Sequence, residues 1–138
     1  MSARDAFHGI VKTALQKDSW VITHDPLQIR WGKIEMYIDL GAERVLGAER
    51  DGQKIAIEVK SFLGQSTISE FHLALGQYIN YRTVLSEQEP ERILYLAVPF
   101  DAYDEFFLLP FPQAVTQQNQ VNLLVYDIDR EAIVKWQP

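Results

Sequence analysis

The chain has 138 residues, a formal net charge of −6 and no cysteine. Its length suits a single domain over residues 1–138, and a composition of 47% hydrophobic and 12% aromatic residues supplies a packed core, which excludes wholesale disorder. The absence of cysteine excludes disulfides, thiolate zinc sites and cysteine nucleophiles; the acidic balance argues against a domain that holds DNA through its own phosphate-neutralising charge.

The N-terminal stretch "MSARDAFHGIVKTALQKDSW" has neither the long apolar core nor the cleavage-site pattern of a signal peptide. No apolar run approaches the roughly 20 residues that span a bilayer. The expectation is a soluble, cytoplasmic protein without a membrane partner. Within that stretch Phe7, Ile10, Val11, Ala14 and Leu15 recur at helical spacing, which predicts a helix over Ala3–Lys17 with Ser2 as N-cap. Three strands are predicted next: Trp20–Asp25, closed by Pro26, then Glu35–Gly41, then Lys54–Lys60 after a turn at Asp51-Gly52. A long helix follows over Thr67–Glu87, with Ile68, Phe71, Leu75, Tyr78, Ile79 and Leu85 as its sheet-facing stripe. "RILYLAVP", Arg92–Pro99, is apolar almost throughout, as expected of a central strand covered on both faces. "DAYDEFFLLP" predicts a short helix capped by Asp101 and ended by Pro110, with a second short helix after Pro112. "VNLLVYDI" and "AIVKW" complete the pattern as strands. The order argues for an α/β fold, a mixed sheet flanked by helices, with parallel pairing at its centre.

Polar chemistry concentrates on the second and third strands. Alternation puts Ile55, Ile57 and Val59 on one face, and Lys54, Ala56, Glu58 and Lys60 on the other. In the preceding strand Met36, Ile38 and Leu40 share a face opposite Glu35, Tyr37 and Asp39. Paired as a hairpin, the two strands bring Asp39, Glu58 and Lys60 together. Two carboxylates from neighbouring strands form a hard-cation donor set for Mg²⁺ or Mn²⁺, which the backbone carbonyl of Val59 completes. A lysine beside them orients water or stabilises charge developing on phosphorus. The same residues also read as an ion pair on an exposed strand face, worth little. On the long helix, Glu70, Ala74, Gln77 and Tyr81 form another flank, and Gly76 reads as a point of close approach that brings Gln77 toward the strands.

Asp39 followed by Glu58-Val59-Lys60 resembles the PD-(D/E)xK motif of the restriction-endonuclease-like superfamily, with Ile38 in the place of the motif's non-ligand proline. "MSARDAFH", "EMYIDLGAER", "IAIEVKSFLG" and "FHLALGQYINYR" resemble the XisH-type family of fdxN element excision controlling factors, over essentially the whole chain. That resemblance implies a restriction-endonuclease-like fold and a role in programmed DNA rearrangement, beside a XisI-type companion protein and a site-specific recombinase. It implies Asp39 and Glu58 as metal ligands, Lys60 as the catalytic lysine and Gln77 as a supporting residue of a metal-dependent deoxyribonuclease. The alternative it leaves open is a non-catalytic accessory that binds the companion or the recombinase. DNA is then a partner held weakly by the chain alone, in a homo-oligomer or a hetero-complex. Lys33, Arg44, Arg50, Lys54 and Arg82 are scattered, without a dense basic patch. His8, His24 and His72 show no zinc-ligand spacing, and "GAERVLGAERDG" lacks the ending of a phosphate-binding loop. Phe106, Phe107 and Phe111 are expected in the core.

Overall fold

A computed structural model describes residues 3–44 and 52–138 of the chain. The predicted cap at Ser2, Arg50 and Asp51 of the predicted turn lie outside the described residues. The elements run α1 (Ala3–Lys17), β1 (Val21–His24), β2 (Leu27–Trp31), β3 (Ile34–Ile38), β4 (Leu40–Arg44), β5 (Gln53–Val59), α2 (Thr67–Gln88), β6 (Arg92–Pro99), α3 (Phe100–Ala102), a π-helical turn over Tyr103–Phe107, α4 (Pro110–Gln118), β7 (Leu123–Asp127) and β8 (Ala132–Gln137). Six strands form a mixed sheet in the order β1-β4-β5-β6-β7-β8, while β2 and β3 pair as a separate antiparallel hairpin. The expected parallel centre is present: β5 pairs with β6 and β6 with β7 in parallel, and the outer pairs are antiparallel.

Two apolar layers sandwich this sheet. On one side Phe7, Val11 and Leu15 of α1 pack on Ile55, Ile57 and Val59 of β5 and on Leu124 and Tyr126 of β7. On the other, α2, the hairpin and the π-helical turn pack on Leu94, Leu96 and Val98 of β6. The central strand β6 is therefore covered on both faces, as its composition predicts. Tyr78 ties the α2 layer to the sheet: its buried hydroxyl donates to the Leu94 carbonyl at 3.1 Å and accepts from the Asn122 N–H at 3.0 Å. At the far end of the central strands the side chain of Arg92 is buried against the carbonyl of Ile55, at 2.9 Å, and the carboxylates of Glu89 and Glu43. Gly41 leaves room for it, since a Cβ there would meet His24 at 3.1 Å and Arg92 Nη1 at 3.3 Å.

Several expectations need correction. The predicted strand Glu35–Gly41 is two strands: β3 pairs back on β2, and only the part from Leu40 onward pairs with β5. Ile38 consequently enters the α2 layer and Leu40 the α1 layer, rather than sharing a face. The buried face of α2 is Phe71, Ala74, Tyr78, Tyr81, Val84 and Leu85, so Ala74 and Tyr81 point into the core and Ile68 outward, 40% exposed. Gly76 is exposed with nothing within 4 Å of an added Cβ, so it is not a point of close approach. The segment after β6 starts at Pro99 rather than with an Asp101 cap, and widens into the π-helical turn because Tyr103 and Phe107 both reach the core. Phe107 is buried, Phe106 packs against the core edge, and Phe111 is 57% exposed. Among the described residues no helix is long and apolar enough to cross a membrane.

Replacing Tyr78 by phenylalanine removes the donor to Leu94 and leaves the Asn122 N–H without its acceptor. A loss of about 1–3 kcal/mol of unfolding free energy is expected for Tyr78→Phe, read from the midpoint and slope of urea denaturation.

Candidate functional site

β5 ends between two neighbours, with β4 antiparallel on one side and β6 parallel on the other. Its alternation sends Ile55, Ile57 and Val59 to the α1 layer. Ala56 enters the α2 layer, and by the same alternation Glu58 is directed to that side. Asp39 sits at the bend between β3 and β4, one residue before Leu40, which pairs with Ile57. That register sets Asp39 beside Glu58.

Two hydrogen bonds lock the arrangement. The Val59 N–H donates to Asp39 Oδ2 at 2.8 Å, and the Asp39 N–H donates to Glu58 Oε1 at 3.3 Å. Lys60 Nζ lies 3.5 Å from Glu58 Oε2, with only 4% of the Glu58 side chain and 20% of the Lys60 side chain exposed. The Lys60 backbone is fixed on both sides: its N–H donates to the Ala97 carbonyl at 2.9 Å, and its carbonyl accepts from the Tyr126 hydroxyl at 3.0 Å. Asp39, Glu58 and Lys60 therefore converge, and they are not a solvated pair on an exposed strand face.

Burial is the main reason the Glu58 carboxyl is pushed up to about 7, and the adjacent Asp39 charge pushes in the same direction; Lys60 opposes both. Such a group exchanges its proton near neutral pH. Among the described residues there is no group of three or more histidine, cysteine, aspartate or glutamate side chains placed to hold a metal ion. A hard cation of the Mg²⁺ type, however, needs only one or two protein carboxylates, with water or phosphate oxygens for the rest. The fit is chemical: two oxygen donors, one at the bend before β4 and one on β5, the latter made reluctant to ionise by burial and by the former's charge, are a set a divalent ion could satisfy. The Val59 amide supports this pair by orienting Asp39.

Beyond Lys60 the chain turns away from the sheet. Phe62 adopts a left-handed backbone (φ 54°), and its ring packs edge-on against Phe107 at 5.3 Å. Glu70 Oε2 accepts from the Gly64 N–H at 3.1 Å, an approach that a Cβ at Gly64 would obstruct at 2.9 Å from the Glu70 carboxyl carbon. The loop is thus held to α2, and a cavity of about 260 Å³ opens beside Lys60. Gln77 lines this cavity together with Glu70, and Gln77 Oε1 is shut off from solvent without a hydrogen-bond partner. The sequence singled out Gln77 but not Phe62 or Ser61, which also line the cavity. Neither carried a recognisable signal, because a phenylalanine with positive φ is not legible from residue type.

The XisH protein family model matches residues 1–134 of the chain. The fold is similar to the crystal structure of an XisH family protein from Nostoc punctiforme PCC 73102, with 51% identity and a TM-score of 0.90 over 97% of this chain and 100% of that one. It is similar to an fdxN element excision controlling factor protein from Anabaena variabilis, also a crystal structure, with 54% identity and a TM-score of 0.89 over 98% of this chain and 100% of that one. No curated protein matches the chain.

The Glu58 environment generates a pH prediction for metal-free protein. Its carboxyl titrates near 4.5 when unfolded and at about 7 when folded, so the folded state binds more protons between those values. The stability this proton provides is fully present below pH 4.5 and is lost as pH rises through 7. Glu58→Gln is expected to remove about 1–3 kcal/mol of that pH dependence, flattening the profile of unfolding free energy against pH measured in EDTA. An unchanged slope would show that Glu58 is not the titrating group.

Proposed function

The chain belongs to the XisH family, and from that premise we propose that it is a DNA-element excision controlling factor with a restriction-endonuclease-like fold and a metal-dependent phosphodiester-hydrolysing site. Asp39 and Glu58 would hold Mg²⁺ or Mn²⁺, with the Val59 carbonyl as a further ligand, and Lys60 would act on the phosphate. The observation that carries the reading is the convergence of Asp39, Glu58 and Lys60 through the hydrogen bonds of the β4–β5 junction. The bound ion would supply Lewis acidity at the phosphate. The chain's own contribution follows from its geometry. Lys60 brings a positive charge, on a fixed backbone, to where negative charge develops. Burial beside Asp39 keeps the Glu58 carboxyl hard to ionise in the metal-free chain, so its proton would leave as the ion binds. Gln77 contributes an amide from α2 at the edge of the same site.

One observation favours a second, accessory reading. Several of the described cations are engaged by the protein's own acids: Lys12 with Asp25, Arg30 with Glu35, Arg44 with Asp18, and Arg92 with Glu89. With a net charge of −6, such a surface gains little from counterion release on duplex DNA. Action through a XisI-type companion or a site-specific recombinase would supply the missing affinity, in a homo-oligomer or hetero-complex.

Nicking of plasmid DNA by purified protein in Mn²⁺ or Mg²⁺ separates the two. Hydrolysis is expected to need the metal and to fall at least about a hundredfold in Lys60→Ala, while that variant keeps its thermal transition. No cleavage of supercoiled, linear or branched DNA, combined with undiminished excision in cells carrying Asp39→Ala, would leave only the accessory reading.

A further inference from the structure

We propose that the cavity beside Lys60 is a pocket for an unpaired nucleobase, so that the chain engages single-stranded or locally opened DNA; the proposal rests on the reading of Asp39, Glu58 and Lys60 as a phosphodiester site. Lys60 is the wall shared by the two features. Its ammonium is 3.5 Å from Glu58 Oε2, and the same residue lines the cavity. A strand whose phosphate meets Lys60 therefore has its neighbouring base at the cavity mouth.

Size, chemistry and charge agree with this occupant. At about 260 Å³ the cavity falls below the roughly 300–1,000 Å³ of pockets for drug-sized ligands, which suits one ring system and excludes a base pair. Lys60, Ser61, Glu70 and Gln77 give it a polar side, while Phe7 and Leu73 give it an apolar one. Gln77 adds an amide-bearing side chain to the lining, a type of group that pairs with the edge an unpaired base exposes and a paired base does not. The walls are in place beforehand, because the loop is held by the Glu70–Gly64 hydrogen bond and by Phe62 against Phe107. An acidic chain cannot depend chiefly on phosphate neutralisation, and base contacts provide affinity without it.

The test is fluorescence anisotropy of the full chain in EDTA. The probe is a labelled mixed-sequence single strand of roughly 12 nucleotides, within the site sizes of about 4–16 nucleotides found for small single-strand-binding folds. It is compared with its duplex and with the same backbone carrying abasic sites throughout. Binding of the single strand at least about tenfold tighter than of either competitor is expected. Leu73→Trp, at a position 60% exposed, fills the cavity and is expected to weaken single-strand binding about tenfold with an unchanged melting temperature; Gln77→Ala provides an independent check. Equal binding of the abasic strand or the duplex, full binding by both variants, or no binding of any oligonucleotide overturns the pocket. Metal-dependent cleavage with abasic-insensitive binding overturns the pocket alone. Abasic-sensitive binding without cleavage overturns the phosphodiester reading alone.

Discussion

The bond from the Val59 N–H to Asp39 Oδ2 ties the end of the β2–β3 hairpin to β5 at the point where the chain enters the large sheet. At Asp39 the chain leaves the β2–β3 hairpin and enters the large sheet, passing from the α2 layer, where Ile38 is buried, to the α1 layer, where Leu40 is buried. A strand cannot make that change while keeping its ladder. The aspartate side chain stands in for the missing backbone acceptor, so the same carboxylate that ends the pairing is held beside Glu58. The meeting of the two acids is thus a consequence of how the sheet begins.

From that point the position of Lys60 is determined by the crossover that follows. β5, α2 and β6 form a parallel unit, and such units leave a crevice at the carboxyl ends of their strands. Lys60 is the first residue past β5, and bonds to Ala97 and Tyr126 fix its backbone to β6 and β7. Its side chain then bridges the carboxylates and the cavity under α2. Phe62 carries the cost of the abrupt exit. A non-glycine residue at φ 54° is strained by about 1–3 kcal/mol, and the edge-on contact with Phe107 in the α2 layer is what opposes that strain.

How much of this was legible in the sequence depended on whether period alone carries the information. Lys54–Lys60 alternates cleanly, and the faces of Ile55, Ile57, Val59 and of Glu58 follow directly. The stretch from Met36 to Leu40 alternates equally well, yet alternation cannot record that the chain changes sheets at Asp39, because the reversal of facing occurs within one residue. "LQIRW" passed unread as β2 because Pro26 and the turn at Gly32, φ 61°, bracket only a short run. On α2 the apolar residues are spread around the helix, with Leu73 and Ile68 outward and Ala74 and Tyr81 inward. A stripe chosen by hydrophobicity was therefore rotated from the buried one, since alanine and tyrosine count for little on such a scale. Gln77 was singled out from its flank of the helix and again by resemblance; its cavity required the loop, whose path depends on tertiary contacts of Phe62 and Glu70.

Glu58 is the residue whose presence stability alone does not explain. It lies in the interior of a central strand, 3% exposed, and both its burial and the Asp39 charge disfavour its ionised form. A lysine at 3.5 Å offsets only part of this, and buried ion pairs are commonly no better than well-packed apolar residues of similar volume. Two positions earlier on the same face, Ala56 is buried without any such penalty. A strand shaped by packing alone would carry an apolar residue at 58 as well. A divalent cation held by Asp39 and Glu58, as proposed above, would reverse the balance: two mutually repelling acids would become two ligands, and the ionisation of Glu58 that the folded chain alone opposes would become favourable. The destabilising carboxylate is then the feature of β5 that most directly favours a binding role over a structural one.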